Sequence, residues 1–166
     1  MAEELGKKVM VAIDENESSY HALMWVLENL QESITNSGNP LVIFMAQPSP
    51  KNSLVFPAPL GLARLYCPVS AIPEFVNSVQ DKNMRVSLGI LEKAKRICTS
   101  HGVDAETIAE VGDPKEAICN AVQKYKINLL VLGDRDLGKI KRAFLGSVSN
   151  YCVHNANCPV LVVKKV

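Results

Sequence analysis

Two groupings in this chain have the residue types and spacing to do chemistry. The first is Gly133-Asp-Arg-Asp-Leu-Gly-Lys139, followed by Gly146-Ser-Val-Ser149; it begins where the apolar run Asn128–Leu132 ends. Glycines let a backbone approach an anion, and a helix start aims free N–H groups at it. A strand that empties into such a loop and restarts as a helix therefore suits phosphate. The second grouping is Val9-Met-Val-Ala-Ile-Asp14, an apolar run that ends on a carboxylate. Each residue also has a plain structural role when taken singly. Asp14 suits a helix cap, Gly133 a turn, and Ser147 and Ser149 a helix start. Arg135, Lys139, Lys141 and Arg142 supply local positive charge, as phosphate contacts or as a solvated helix face.

Two known phosphate fingerprints fail here. A GxGxxG loop after the first strand is missing, because Asp14-Glu-Asn-Glu17 stands there. Gly133, Gly138 and Lys139 match the Gly-x4-Gly-Lys spacing of a P-loop, but Ile140 occupies the place of the Mg²⁺-binding hydroxyl.

The elements that must position these residues follow from periodicity and breakers. Lys8–Ile13, Leu41–Ala46, Ala105–Val111, Leu129–Leu132 and Pro159–Val163 read as strands, the third nearer an edge. A helix after Asp14 carries Leu23, Val26, Leu27, Leu30 and Ile34 on one face and breaks at Gly38-Asn-Pro40. A long helix from about Pro73 to Ser100 carries the stripe Val79, Val86, Ile90, Ala94 and Ile97, and Gly102 stops it. Asp113-Pro-Lys-Glu116 reads as N-cap, first helical residue and capping box, with Ile118, Ala121, Val122 and Tyr125 facing inward. A last helix runs from about Lys141 or Gly146 to Asn155.

Alternating strands and helices with continuously apolar strands predict one α/β domain: a doubly wound, five-stranded parallel sheet with helices on both faces. Ligands of such sheets sit at the strands' carboxyl ends where strand order reverses, so Asp14 and Gly133 should be neighbours. The segment 48–72, with five prolines and several large apolar residues, is a long loop insertion: a surface-packed segment, a lid or a partner surface.

Bulk composition narrows the class. The 166 residues are 48% hydrophobic with a formal charge of +1, which offers no field for nucleic acid or an anionic membrane. No apolar run reaches spanning length and the start carries no signal-like segment, so a cytoplasmic protein without membrane insertion is expected. The five cysteines (67, 98, 119, 152 and 158) and histidines 21, 101 and 154 show no metal spacing. A reduced interior with mostly structural cysteines is the simple reading.

The chain resembles the universal stress protein family, especially its single-domain plant members. The resemblance rests on Val9–Asp14, Gly112-Asp-Pro-Lys-Glu-Ala-Ile118, Lys141–Cys152 and Cys158-Pro-Val-Leu-Val162. It implies an adenine nucleotide α-hydrolase-like fold and ATP or AMP as ligand, with Mg²⁺ accompanying a triphosphate. ATP-binding members carry Gly-x2-Gly-x9-Gly-Ser/Thr after the fourth strand. Gly133, Gly146 and Ser147 fit this pattern, but Asp136 replaces the second glycine.

Aspartate tolerates left-handed backbone, yet its charge repels a triphosphate by about a kcal/mol when partly shielded from water. Asp136 could point away, pair with a nearby cation or help hold a metal ion; AMP or ADP would suffer less than ATP. The resemblance assigns Ala12, Asp14 and Ala46 to the adenosine. It assigns Gly133, Asp134, Arg135, Asp136, Leu137, Gly138, Lys139, Gly146, Ser147, Val148 and Ser149 to the phosphates.

It also implies a regulatory binding switch of the stress response and a homodimer through 159–163. A slow nucleotide hydrolase and a nucleotide-free interaction or chaperone-like protein are the alternatives. No catalytic base is evident, so hydrolysis is expected to be weak at most.

Overall fold

The structure is a computed structural model that describes residues 6–47, 73–134 and 146–165. Ten elements alternate along them: β1 (Val9–Ala12), α1 (Glu17–Asn29), α2 (Gln31–Ser37), β2 (Leu41–Gln47), α3 (Pro73–Ser100), β3 (Ala105–Val111), α4 (Pro114–Lys124), β4 (Leu129–Gly133), α5 (Ser147–Asn155) and β5 (Val160–Val163). All five strands are parallel, in the order β3-β2-β1-β4-β5. The chain thus winds outward from β1 in one direction, returns, and winds outward in the other, as the alternating pattern predicts.

The three central strands β2, β1 and β4 read as apolar runs because both faces of the sheet are covered there. On one face Val11, Ile43 and Val131 pack with Leu23, Val26 and Leu27 of α1 and with Leu91, Ala94 and Cys98 of α3. On the other, Met10, Val42, Phe44 and Leu130 pack with Ile118, Ala121 and Val122 of α4 and Cys152 of α5. Phe44 is fully enclosed, the largest side chain so buried among the described residues.

Local signals place most boundaries. Asp113 caps α4 by accepting from the Lys115 amide at 3.2 Å, and Pro114 opens the helix. Among the described bonds Glu116 returns none to Asp113, so the cap is one-sided. Gly102, at φ +71°, supplies the left-handed turn that ends α3. β3 is an edge strand, as its weak alternation suggests.

Three expectations are corrected. The first helix is broken at Leu30 (φ −119°, ψ 3°) into α1 and α2. At the end of α1, Asn29 Nδ2 bonds back to the Trp25 carbonyl. Beyond the break, Gln31 reaches the His101 carbonyl at the end of α3.

The N-cap of α1 is Asn16, not Asp14. The seam of α3 is Ser87, Leu91, Ala94 and Cys98, whereas Val86 is 43% exposed and Ile90 and Ile97 lie at the seam's margin. Val79 lies outside the described side chains.

Candidate functional site

The sheet order reverses between β1 and β4, and the carboxyl ends of these strands open into a cleft of about 490 Å³. Ala12 and Asp14 enter it from β1, Met45 and Ala46 from β2, and Leu132 and Gly133 from β4. Gly146, Val148 and Ser149 close it from the start of α5, while Pro114 and Ile118 of α4 form an apolar wall.

The floor beside Asp14 is a tight polar turn. The Asp14 carboxylate accepts from the Asn16 amide and from Asn16 Nδ2, both at 2.8 Å. Ser19, 5% exposed, accepts from the Asp14 amide at 3.1 Å and donates to the Asn16 carbonyl at 2.8 Å. Asp14 therefore shapes the approach to α1 from outside the helix. These bonds hold the carboxylate in place at the edge of the cleft.

Gly133 is a glycine for a reason that local sequence does not reveal. A Cβ there would fall onto the Ser18 carbonyl and lie 3.0 Å from the Ser19 amide. The absence of a side chain lets the first turn of α1 pack directly against the end of β4. The neighbouring Asp134 amide donates to the Val163 carbonyl at 2.9 Å, continuing the ladder. Its Oδ1 is buried with no hydrogen-bond partner among the described residues.

The start of α5 carries no side-chain cap: its N-cap is Gly146, with φ −55° and ψ 155°. Gly146 has no side chain to cap the helix, so the first-turn amides of α5, at the border of the cleft, are not bonded by their own N-cap residue. Ser149 is 4% exposed and donates its hydroxyl to the Gly133 carbonyl at 3.4 Å.

The cleft thus brings together Ala12, Asp14, Ala46, Gly133, Gly146, Val148 and Ser149. Ser147 is exposed at the first position of α5, and neither it nor Asp134 lines the cleft. Arg135, Asp136, Leu137, Gly138 and Lys139 lie outside the described residues, as do Lys141, Arg142 and the 48–72 segment.

Sequence reasoning missed Ser18, Ser19, Pro114 and Ile118. The signal for the last two was present in Gly112-Asp-Pro114, a helix start beyond a strand's carboxyl end. Gly112 itself does not line the cleft. Among the described residues there is no cluster of His, Cys, Asp and Glu suited to a metal ion, and no helix long and apolar enough to cross a membrane.

A five-stranded parallel sheet of this order, with a cleft at its reversal point, defines an α/β protein of the kind that takes ligands on its strand ends. Residues 6–164 match the model of the universal stress protein family, and the chain belongs to that family.

It is 36% identical over 97 residues to a universal stress protein A-like protein of Arabidopsis thaliana, covering 58% of this chain and 55% of that one. The chain thus spans about half the length of that relative. A universal stress protein of Synechocystis is 27% identical, with 95% of this chain and 97% of the relative covered. Among solved structures, a universal stress protein family protein from Arabidopsis thaliana with AMP bound superposes with a TM-score of 0.65. It is 26% identical and covers 96% of this chain and 92% of its own. The MJ0577 protein superposes with a TM-score of 0.72 at 22% identity, covering 98% of both chains, a likeness of fold.

Proposed function

We propose that the cleft binds an adenine nucleotide and that the chain is a nucleotide-dependent regulatory protein of the stress response. The observation that carries this reading is the convergence of three strand ends and the uncapped start of α5 on one cleft of about 490 Å³. That volume falls within the range of small-molecule sites, roughly 300–1,000 Å³. The AMP-bound relative, at 26% identity over nearly the whole chain, supports the choice of ligand.

In this reading Ala12, Ala46, Pro114 and Ile118 pack against the base, and Asp14 accepts from ribose hydroxyls. Phosphate lies toward Gly133 and the amides of Ser147, Val148 and Ser149, where the dipole of α5 favours negative charge. Asp136 disfavours the triphosphate, which directs the site toward AMP and ADP. Mg²⁺ would reduce that repulsion if ATP is the ligand. Occupancy would alter how the surface around the cleft meets a partner, and β5, an edge strand, is the expected homodimer contact.

The Gly133–Ser18 contact favours a second reading, a nucleotide-free interaction protein. Packing alone accounts for this glycine, so its presence does not require a ligand.

Calorimetric titration of AMP, ADP and ATP, with and without Mg²⁺, into nucleotide-stripped wild type and Asp136→Gly separates the readings. Binding by the wild type, with ATP tightening most in the variant, supports the first. No binding of any nucleotide by either form overturns it in favour of the second.

A further inference from the structure

We propose that Cys119 and Cys152 form an oxidisable dithiol that hydrogen peroxide closes to a disulfide, fastening α4 to α5. The two helices lie side by side on one face of the sheet, and the sulfurs are 3.9 Å apart. Both are free thiols in van der Waals contact. A disulfide needs the sulfurs about 2 Å closer and the Cα atoms of the two cysteines within about 7 Å of each other.

Exposure divides the roles. Cys119 is half-buried and open to a small oxidant, whereas Cys152 is fully buried and touches Cys119 from within. Burial pushes the Cys152 thiol up to about 12 and raises that of Cys119, so the resting pair is held protonated. Raised values slow attack on an oxidant, so the pair stays reduced until peroxide is abundant, and its closure rests on the contact between the two sulfurs.

The chemistry balances without another reactant. Cys119 sulfur, on losing its proton, attacks one peroxide oxygen. The O–O bond breaks and the departing hydroxide takes up that proton as water. The sulfenic acid left on Cys119 is then attacked by Cys152 sulfur. The S–O bond breaks, the S–S bond forms, and the hydroxyl leaves with the Cys152 proton as a second water. Two thiols give up two electrons, and one hydrogen peroxide accepts them.

The bond would form one residue beyond Ile118 and one turn beyond Val148, both of which line the cleft. It would therefore fix the spacing of the two helices that wall the cleft, whatever the cleft holds. Cys158, half-buried in the same apolar cluster, is the competing partner.

The test uses the full chain, reduced, desalted and treated with graded hydrogen peroxide, with residual thiols blocked by N-ethylmaleimide. Intact mass should show free thiols falling from five to three, reversibly with dithiothreitol. A non-reducing tryptic map should join the peptide holding Cys119 to Cys152, with fragmentation separating Cys152 from Cys158 on their shared peptide. Cys158→Ser should oxidise as the wild type does, and Cys119→Ser should lose the bond. The wild-type map decides the matter even if a variant folds poorly. Five thiols surviving peroxide that fully oxidises free glutathione would overturn the proposal. So would a bond from Cys119 to Cys158 or Cys67, or one between two chains.

Discussion

The Ser149 hydroxyl bonds the Gly133 carbonyl from one face of the sheet, while the Ser18 carbonyl presses on Gly133 from the other. One residue at the end of β4 is thus the meeting point of α1 and α5. Both helix starts reach the cleft, so its shape depends on this contact.

Gly133→Ala should therefore push the first turn of α1 outward. The expected cost is about 1–3 kcal/mol, the usual range for an overpacked site. Urea denaturation measures it. An unchanged midpoint would mean that α1 moves aside freely and that the contact does not hold the cleft.

Two serines should differ in weight. Ser19→Ala deprives the Asp14 amide of its acceptor within a partly buried turn and should cost about 1–2 kcal/mol. Ser149→Ala removes one long bond and should cost about 1 kcal/mol or less. Thermal midpoints of the two variants, measured side by side, check the order.

Glu110 is held below its ordinary carboxyl value of 4.5 by bonds from the Lys124 ammonium and the Tyr125 hydroxyl. Its folded value is depressed, so its contribution to stability is present above 4.5 and is lost as pH falls through the lower folded value. The stability gap between wild type and Glu110→Gln should be open at pH 7 and close below 4.5. The pair is largely solvated, so the gap should be small and shrink with salt. A gap that widens in acid contradicts this assignment.

Asp14→Ala should weaken AMP binding at least about tenfold, equivalent to about 1.4 kcal/mol, by removing the acceptor for the ribose. Calorimetry on a variant with unchanged circular dichroism reads this directly. Equal affinity would place the ribose elsewhere.

The central strands were legible because parallel strands covered on both faces leave apolar runs, and the neighbouring of β1 and β4 followed from the reversal of order in a doubly wound sheet. The cleft followed from where those runs end. The seam of α3 was not legible: it buries Ser87, which carries no hydrophobic signal, while Val86 and Leu88 beside it are exposed. Apolar counting therefore chose a stripe about one residue out of phase. The Ser18–Gly133 contact was equally hidden, since a backbone-to-backbone approach between residues far apart in sequence leaves no mark except a glycine with several explanations.

The place of β1 at the centre of the sheet has a consequence for how the protein is made. β2 begins at Leu41, but β4 begins only at Leu129, and the Lys8 amide waits for the Asn128 side chain 120 residues later. At ordinary ribosomal speeds that is a delay of roughly ten seconds. Throughout it, the future middle of the sheet is an open edge, the kind that recruits strands from other chains. Newborn copies on one messenger are therefore at greatest risk of pairing with each other just before the last quarter of each emerges.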